Sequence, residues 1–574
     1  MKKTFTTPAA HCIIKEKTGG TNVKKRIIRI LAVILSAVAT GLAVSYYLPS
    51  AIEFVSLTPF LFILFSRTDE QKWIRRGLGL GFLYFYAYYL TVWHWFLGMY
   101  PLDFTNISRG GALAVVIVAW LGLPLIQTAA AMWQVPIFLF TAKSPLTSRG
   151  GKLRASAPLA YGAVYIFFEW IQTLTWAGVP WGRLAIGQSF TPAMVGTASL
   201  FGSYFVSFVI VTVNGYIAYA AYVTASSKRD GESLRDAFGR ERVRAAASVS
   251  AAVLVLAANY TYGAVRILII NNAEPKETVT VSVLQGNVSS SDKWSDGSYS
   301  NLIGIYSALT GVAADAGADM AVFPETAIPR YANLPYKNYD MGDDLEALSS
   351  DSGTVLIATG FWADDDDADR NAVFAVDPGT GLDGTAVYYK RHLVPFGEFV
   401  PFEDVIRVLV PPLADLGLFG DLITPGDSAT LITTRYGRVG ALVCFDSIYE
   451  TAALDEVREG AELLTVSTND SWFDGSAAIM QHAAQSVLRA VECDRYVCRA
   501  GNTGFSCIIS PTGEIVAETE VLRCGIATYD VEMRGTRTPY SYIGNAFVGA
   551  AGVFITVCAA AAVIDKRRKL KGST

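Results

Sequence analysis

The chain has 574 residues, and 47 Lys plus Arg against 51 Asp plus Glu leave a net charge of −4. Charged residues make up only 17% against a typical ~25%, while hydrophobic residues reach 52% and mean hydropathy is +0.33. This excludes a disordered chain or an ordinary soluble enzyme, and without a basic excess there is no reason to expect a nucleic-acid partner. A membrane protein with a sizeable soluble part fits. Seven cysteines, with no Cys-x-x-Cys pair, are too sparse for a disulfide scaffold. Of four histidines, only His392 and His482 lie beyond the first hundred residues, which argues against a His-rich metal centre. No metal and no cofactor is expected.

In chain order, nearly charge-free runs occupy Ile30–Tyr47, Ala51–Ser66, Gly77–Leu97, Ala112–Ala142, Ala157–Trp176, Ala193–Val223, Ala245–Gly263 and Ile543–Ile564. A helix needs ~20 apolar residues to cross ~30 Å of hydrocarbon, so about eight spans are expected. Ala51–Ser66 is short enough to be re-entrant. The first run follows Lys24, Lys25 and Arg26 and contains Ala37-Val38-Ala39, as a cleavable signal would. Further spans follow at once, so a retained anchor is expected. Basic residues precede span one and recur at Arg67 to Arg76, Lys143 to Arg154, Lys228 to Arg244 and Lys566 to Lys571, after every even-numbered span. The positive-inside rule then puts both termini in the cytoplasm and everything between spans seven and eight outside. The expected plan is a cytoplasmic segment 1–26, a membrane domain 27–265 of about seven helices and an extracytoplasmic soluble domain 271–541. A C-terminal span 543–564 and a basic cytoplasmic tail 565–574 complete it.

Within the soluble domain the pattern changes to short β-like runs: Thr278–Leu284, Ala321–Phe323, Val355–Thr359, Ala372–Val376, Ala386–Tyr389, Val439–Val443 and Leu463–Ser467. Helical periodicity fits Tyr299–Ala316 and Ala477–Tyr496. Interleaved strands and helices predict a layered α/β domain. The acidic run Asp364–Asp367 lies between two strands and reads as a solvated hairpin tip; its spacing does not fit an EF-hand.

Chemistry is expected where strands stop. Glu325 follows one strand through Phe323-Pro324, Lys390 ends a second, and Cys444 ends a third. Singly, each has an ordinary structural explanation: a helix cap, a solvated turn, a packing thiol. Together they suit nucleophilic catalysis. A thiol with pKa ~8.5 is little ionised at neutral pH; a nearby ammonium favours thiolate and a carboxylate can take the proton. The same ammonium, with the amide N–H after Cys444, suits the oxyanion of a tetrahedral intermediate.

The surroundings extend this trio. Gly286-Asn287, Lys293-Trp294, Phe323-Pro324-Glu325-Thr326 and Lys390-Arg391-His392-Leu393-Val394-Pro395-Phe396-Gly397-Glu398 are followed by Cys444-Phe445-Asp446, Asn469-Asp470-Ser471-Trp472-Phe473 and Arg499-Ala500-Gly501-Asn502-Thr503-Gly504. In this order they resemble bacterial apolipoprotein N-acyltransferase, a membrane-embedded branch of the nitrilase superfamily. Phe168-Glu169-Trp170 with Gly178-Val179-Pro180-Trp181 resembles the family's fifth span and outer loop. The resemblance implies a multi-span α-helical membrane domain plus an α/β nitrilase-like α-β-β-α sandwich. It makes Glu325 the general base, Lys390 the electrostatic stabiliser and Cys444 the nucleophile. Glu398 matches a supporting carboxylate, and Trp294, Phe445 and Asp446 match residues lining the active site. Asp446 departs from the family, which usually carries Glu there.

The implied reaction moves an acyl chain from a phospholipid to the cysteine, then to the α-amino group of a diacylated apolipoprotein's diacylglyceryl-cysteine. The expected partners are therefore phospholipid, apolipoprotein and bilayer, with the enzyme monomeric in a bacterial inner membrane. The loop Val408–Phe419 is markedly apolar, and Leu416, Leu418 and Phe419 are candidates for an arm that gates acyl-chain access. Glu169, in an apolar span, is either functional or tied to the loop around Trp181 and Arg183. Cys493, Cys498, Cys507, Cys524 and Cys558 read as packing residues. Rival readings are a membrane-tethered nitrilase-type amidase, a non-catalytic membrane scaffold and, more weakly, a Cys-His hydrolase using His392 or His482.

Overall fold

The computed structural model describes residues 8–571, with side chains from Val23 onward, except 69–72, 103–106, 175–177, 230, 231, 275, 276, 296, 336–339, 367, 403, 405, 406, 409–422 and 474. Its first half is helical: α1 (Pro8–Val44), α2 (Trp73–Val92), α3 (Arg109–Ala131), α4 (Gln134–Thr141), α5 (Ala157–Ile171), α6 (Ser203–Ser226) and α7 (Leu234–Asn271). Among the described residues, five stretches are long and apolar enough to cross a membrane: Val23–Val44, Arg109–Thr141, Ser203–Ser226, Leu234–Asn271 and Ala546–Lys571. Shorter apolar helices fill 50–65, 157–171 and 192–201.

Two apolar runs differ from the sequence reading. The run Ala112–Ala142 breaks between α3 and α4, because Pro136 has no N–H to offer the Met132 carbonyl one turn back. The run Ala193–Val223 enters α6 only at Ser203. Gly202, at φ +77°, makes the corner, and a Cβ there would stand 2.5 Å from the Tyr540 ring. Only glycine allows this turn and this contact together.

Among the described residues the soluble part holds twelve strands: β1 (Thr278–Gln285), β2 (Met320–Val322), β3 (Val355–Ala363), β4 (Asp369–Val376), β5 (Val387–Tyr389), β6 (Leu431–Thr434), β7 (Gly437–Val443), β8 (Leu463–Thr468), β9 (Val497–Gly501), β10 (Cys507–Ile509), β11 (Ile515–Glu518) and β12 (Gly525–Glu532). They form two six-stranded sheets, ordered β12-β1-β2-β3-β4-β5 and β11-β10-β9-β8-β7-β6. The centre of each is parallel, β1-β2-β3 and β7-β8-β9, and the margins are antiparallel.

Alternation assigns the faces. Val279, Val281 and Val283 of β1, Val355 and Ile357 of β3, and Val439, Ala441 and Val443 of β7 meet between the sheets. The intervening Leu356 and Ala358 pack outward under α8 (Ser298–Asp315) and α9 (Met341–Ser352). Leu442 packs outward under α10 (Glu450–Glu459) and α11 (Ala477–Cys493). Strands buried on both faces read as continuous apolar runs, which is why they were visible in the sequence. The result is the expected α-β-β-α sandwich. The last helix, α12 (Ala546–Lys571), packs against α5. At the β3–β4 tip, the Asp364 carboxylate accepts the N–H groups of Asp366 (3.0 Å) and Ala368 (2.8 Å) and pairs with Arg370 at 2.6 Å.

Candidate active site

Glu325, Lys390 and Cys444 lie just past the C-terminal ends of β2, β5 and β7. Lys390, 1% exposed, places Nζ 2.9 Å from Glu325 Oε1 and 2.6 Å from Glu398 Oε1. Glu325 Oε1 also accepts from Asn371 Nδ2 (2.9 Å), and its Oε2 accepts the Asn469 N–H (3.1 Å). Glu398 Oε2 accepts the Val394 N–H at 2.8 Å, which closes its loop back toward the lysine. Burial alone would discharge Lys390, but Glu325 and Glu398 hold its ammonium well above the ordinary range. Burial raises the Glu398 carboxyl, with the Lys390 ammonium opposing.

Cys444 opens the turn that follows β7 at φ +49°. A non-glycine residue there costs of order 1–3 kcal/mol and persists only where its surroundings over-determine it. The Ser447 hydroxyl donates to the Cys444 carbonyl at 2.7 Å, and His482 Nε2 stands 3.2 Å from the same oxygen. Burial, then the Glu325 carboxylate, push the thiol well above its usual range, with Lys390 opposing and a Thr468 hydrogen bond assisting the charged form. The resting group is therefore a neutral thiol, not the lysine-favoured thiolate that residue type alone suggested.

Residues 278–538 match the family model of the carbon-nitrogen hydrolases, and residues 36–216 match that of the apolipoprotein N-acyltransferase N-terminal domain. The chain is 26% identical over 540 residues to apolipoprotein N-acyltransferase of Geobacter metallireducens, covering 92% of this chain and 95% of that one. It is 29% identical over 492 residues to the Gloeobacter violaceus protein of the same name, covering 84% and 85%. A third such relative, from Methylococcus capsulatus, is 27% identical over 471 residues, covering 81% and 83%. The chain belongs to the bacterial apolipoprotein N-acyltransferase family.

The supporting residues occupy distinct places around this centre. Phe445 is buried, meets Tyr449 edge-on at 5.6 Å, and joins the apolar core shared with the membrane helices. Trp294 is 40% exposed, its ring 6.2 Å from Phe361 and 5.8 Å from Lys293 Nζ. Asp446 is the most deeply buried of the three. It is fully buried and binds the segment after Lys390: Oδ1 accepts the His392 N–H and faces His392 Nδ1, both at 2.8 Å. Its Oδ2 accepts from Tyr388 OH (2.9 Å) and the Val443 N–H (3.1 Å). Burial works against its charge, yet the His392 contact, Lys390 and the Val443 N–H hold it below the ordinary carboxylate range. The shorter side chain suits this tie because every donor is already close. Leu416, Leu418 and Phe419 lie outside the described residues.

Among the hydrogen bonds of the described residues, neither histidine of the soluble domain meets the sulfur. His392 is engaged by Asp446 and stacks on Tyr449 at 4.1 Å, while His482 contacts the Cys444 carbonyl at 3.2 Å and Asp470 at 2.9 Å. Arg499 pairs with the other Asp470 oxygen at 2.7 Å. Glu169 accepts the Leu184 N–H at 3.0 Å, the loop tie that was one of its two readings.

The sequence reading missed how the site is fastened to the helical domain. Glu450, six residues beyond Cys444, pairs with Arg183 at 3.0 Å and accepts from Tyr204 OH at 2.7 Å, all of them buried. Gln481, next to His482, accepts from Trp181 Nε1 at 2.7 Å and donates to Ser45 at 2.8 Å. Tyr449 OH donates to the Gly178 carbonyl at 3.2 Å. The Gly178-Val179-Pro180-Trp181 resemblance pointed to this loop without showing that it binds Gln481 and Tyr449 beside the Cys444 turn.

Proposed function

We propose that this protein is an apolipoprotein N-acyltransferase that works through a Glu325-Lys390-Cys444 triad. The observation that carries the reading is the buried Lys390 ammonium bridging Glu325 and Glu398 beside a thiol on a strained turn. In the first half-reaction the Cys444 S–H proton passes to Glu325 as sulfur attacks a phospholipid ester carbonyl. Lys390 and the Phe445 N–H stabilise the oxyanion. Collapse of the intermediate expels the lipid alcohol, which takes the proton from Glu325 and leaves a lysophospholipid and an acyl-thioester. In the second half the α-amino group of a diacylglyceryl-cysteine attacks the thioester. An α-amino group has pKa ~7.7–8.0, so a useful fraction is neutral near pH 7. Glu325 takes its proton and returns it to the departing sulfur.

The five apolar helical stretches support placement in the bacterial inner membrane. The basic residues support cytoplasmic termini and an extracytoplasmic catalytic domain. The apolar composition of Val408–Phe419 supports a lipid-facing arm through Leu416, Leu418 and Phe419.

The test is intact-mass analysis of the full-length protein incubated with phospholipid vesicles alone. An acyl adduct is expected on Cys444 and is abolished by Cys444→Ala; adding a diacylated lipopeptide with a free α-amine should discharge it into a triacylated product. Turnover of a soluble amide with no adduct from phospholipid would instead establish a tethered amidase.

A further inference from the structure

Lys293 stands against the triad. The short helix Ser290–Lys293, whose cap Ser289 accepts the Asp292 N–H, delivers it there. Its side chain is 1% exposed, and Nζ donates to the Glu325 carbonyl at 2.9 Å and to Thr326 Oγ1 at 2.8 Å. Both acceptors are neutral, so no contacting carboxylate offsets the burial of this cation. Together they also fix the two sides of one peptide, whose Thr326 sits at φ +40°. A buried ammonium held this way on the base's own backbone is costly unless the charge has a use.

The charge count supplies the use. At rest Glu325 and Glu398 are matched by Lys390 and Lys293, with Cys444 neutral. When the S–H proton moves to Glu325, thiolate and Glu398 face the same two ammonium groups. The buried site is neutral on both sides of the transfer. Without Lys293 it carries one net negative charge throughout, and the sulfur must ionise against it.

We propose that Lys293 is a positioning residue of the triad: it fixes the Glu325–Thr326 peptide and supplies the second positive charge that lets Cys444 yield its proton to Glu325. Burial brings its amine down to about 8, with Glu325 and Cys444 opposing, so the charge is present at neutral pH and lost above that value. The charged groups facing it are Glu325 after β2 and Cys444 after β7, with Lys390 and Glu398 one contact further. On its own helix, the Asp292 carboxylate is held by Ser289 at 2.7 Å.

The test follows the rate of Cys444 alkylation by iodoacetamide against pH in the full-length protein, read by peptide mass spectrometry. In Lys293→Met the rate at pH 7 should fall about tenfold, with the midpoint of its rise moved up by roughly one pH unit. Thr326→Val removes one of the two acceptors, keeps the branched side chain, and should move the midpoint the same way by less; it carries the test if Lys293→Met does not fold. A wild-type midpoint in the variants, or a deficit constant from pH 6 to 9.5, overturns the proposal. Thioester formation from phospholipid vesicles, which rests on the acyl-transfer reading, should show the same deficit shrinking as pH rises. If the wild type takes no acyl group, that reading falls, and the alkylation midpoints still decide the role of Lys293.

Discussion

Replacing Asp446 with Asn tests whether this residue works as a tie between the nucleophile's turn and the segment after Lys390. In the wild type all groups facing its carboxylate are donors or can serve as one: three amide N–H groups, a ring nitrogen and a phenol. An asparagine NH2 must face one end of that set. Turned toward Oδ2, it leaves the Val443 and Arg391 N–H groups without an acceptor, although the Tyr388 hydroxyl can rotate to accept. Turned toward Oδ1, it orphans the His392 N–H. A buried amide left unpaired costs about 1–3 kcal/mol, and loss of the charged acceptor weakens the remaining bonds. The expected loss of stability is about 3 kcal/mol. Its functional effect is larger than a remote residue would give, because Val443 directly precedes Cys444 and His392 lies two residues after Lys390. A misplacement of ~1 Å between nucleophile and ammonium lowers the rate about a hundredfold. Thioester formation measured by rapid quench, alongside thermal unfolding in detergent, should show both losses. An Asp446→Asn protein that is destabilised yet forms thioester at the wild-type rate would refute the tie as a catalytic constraint.

Two further outcomes follow from buried pairs. Glu398→Gln removes one of the two carboxylates on Lys390 and should lower the rate of thioester formation by about a hundredfold while the protein stays folded, as judged by circular dichroism. Arg183→Met leaves Glu450 buried without its cation and should cost about 3–5 kcal/mol in unfolding measurements. Burial opposes the Glu450 charge, but Arg183 and then Arg489 bring its carboxyl down from 4.5 to about 2. A folded-state value below the unfolded one contributes stability that is present above about pH 4.5 and lost as pH falls toward 2. Arg183→Met should therefore lose stability at neutral pH and unfold at a higher pH on acidification.

The sheets were legible because their strands are buried on both faces, so the inward and outward residues are alike apolar. β6, β9, β10, β11 and β12 escaped: β6, β10 and β11 are short runs set between polar residues, Arg499 interrupts β9, and Thr528 and Asp530 interrupt β12. Helix α10 escaped because its apolar stripe is interrupted by Glu450 and Glu456, which are buried, in a segment that reads as solvated. Glu325, Lys390 and Cys444 were legible as a group because each follows a readable strand. Asp446 was read from its place in a motif, which gives adjacency and not partners; its carboxylate is engaged by Tyr388, Val443 and the segment after Lys390. Lys293 was quoted only as the motif neighbour of Trp294 and given no role, since nothing in the chain shows that a four-residue helix will press it against a glutamate's backbone.

The junction with the helical domain explains why a thiol on a soluble sandwich can serve lipids. The turn carrying Cys444 is held from below by His482, and the neighbouring Gln481 is fastened to Trp181 and Ser45 of the helical domain. From the side, Tyr449 and Glu450 bind Gly178 and Arg183. All of these are within six residues of the nucleophile or of the histidine beneath it. A soluble domain joined only by its two chain ends would let the sulfur move relative to the bilayer by the length of its linkers. With these contacts the nucleophile is fixed in register with the apolar helices. A thioester that must wait for a lipid-anchored amine, while water competes for it, needs that register more than it needs speed.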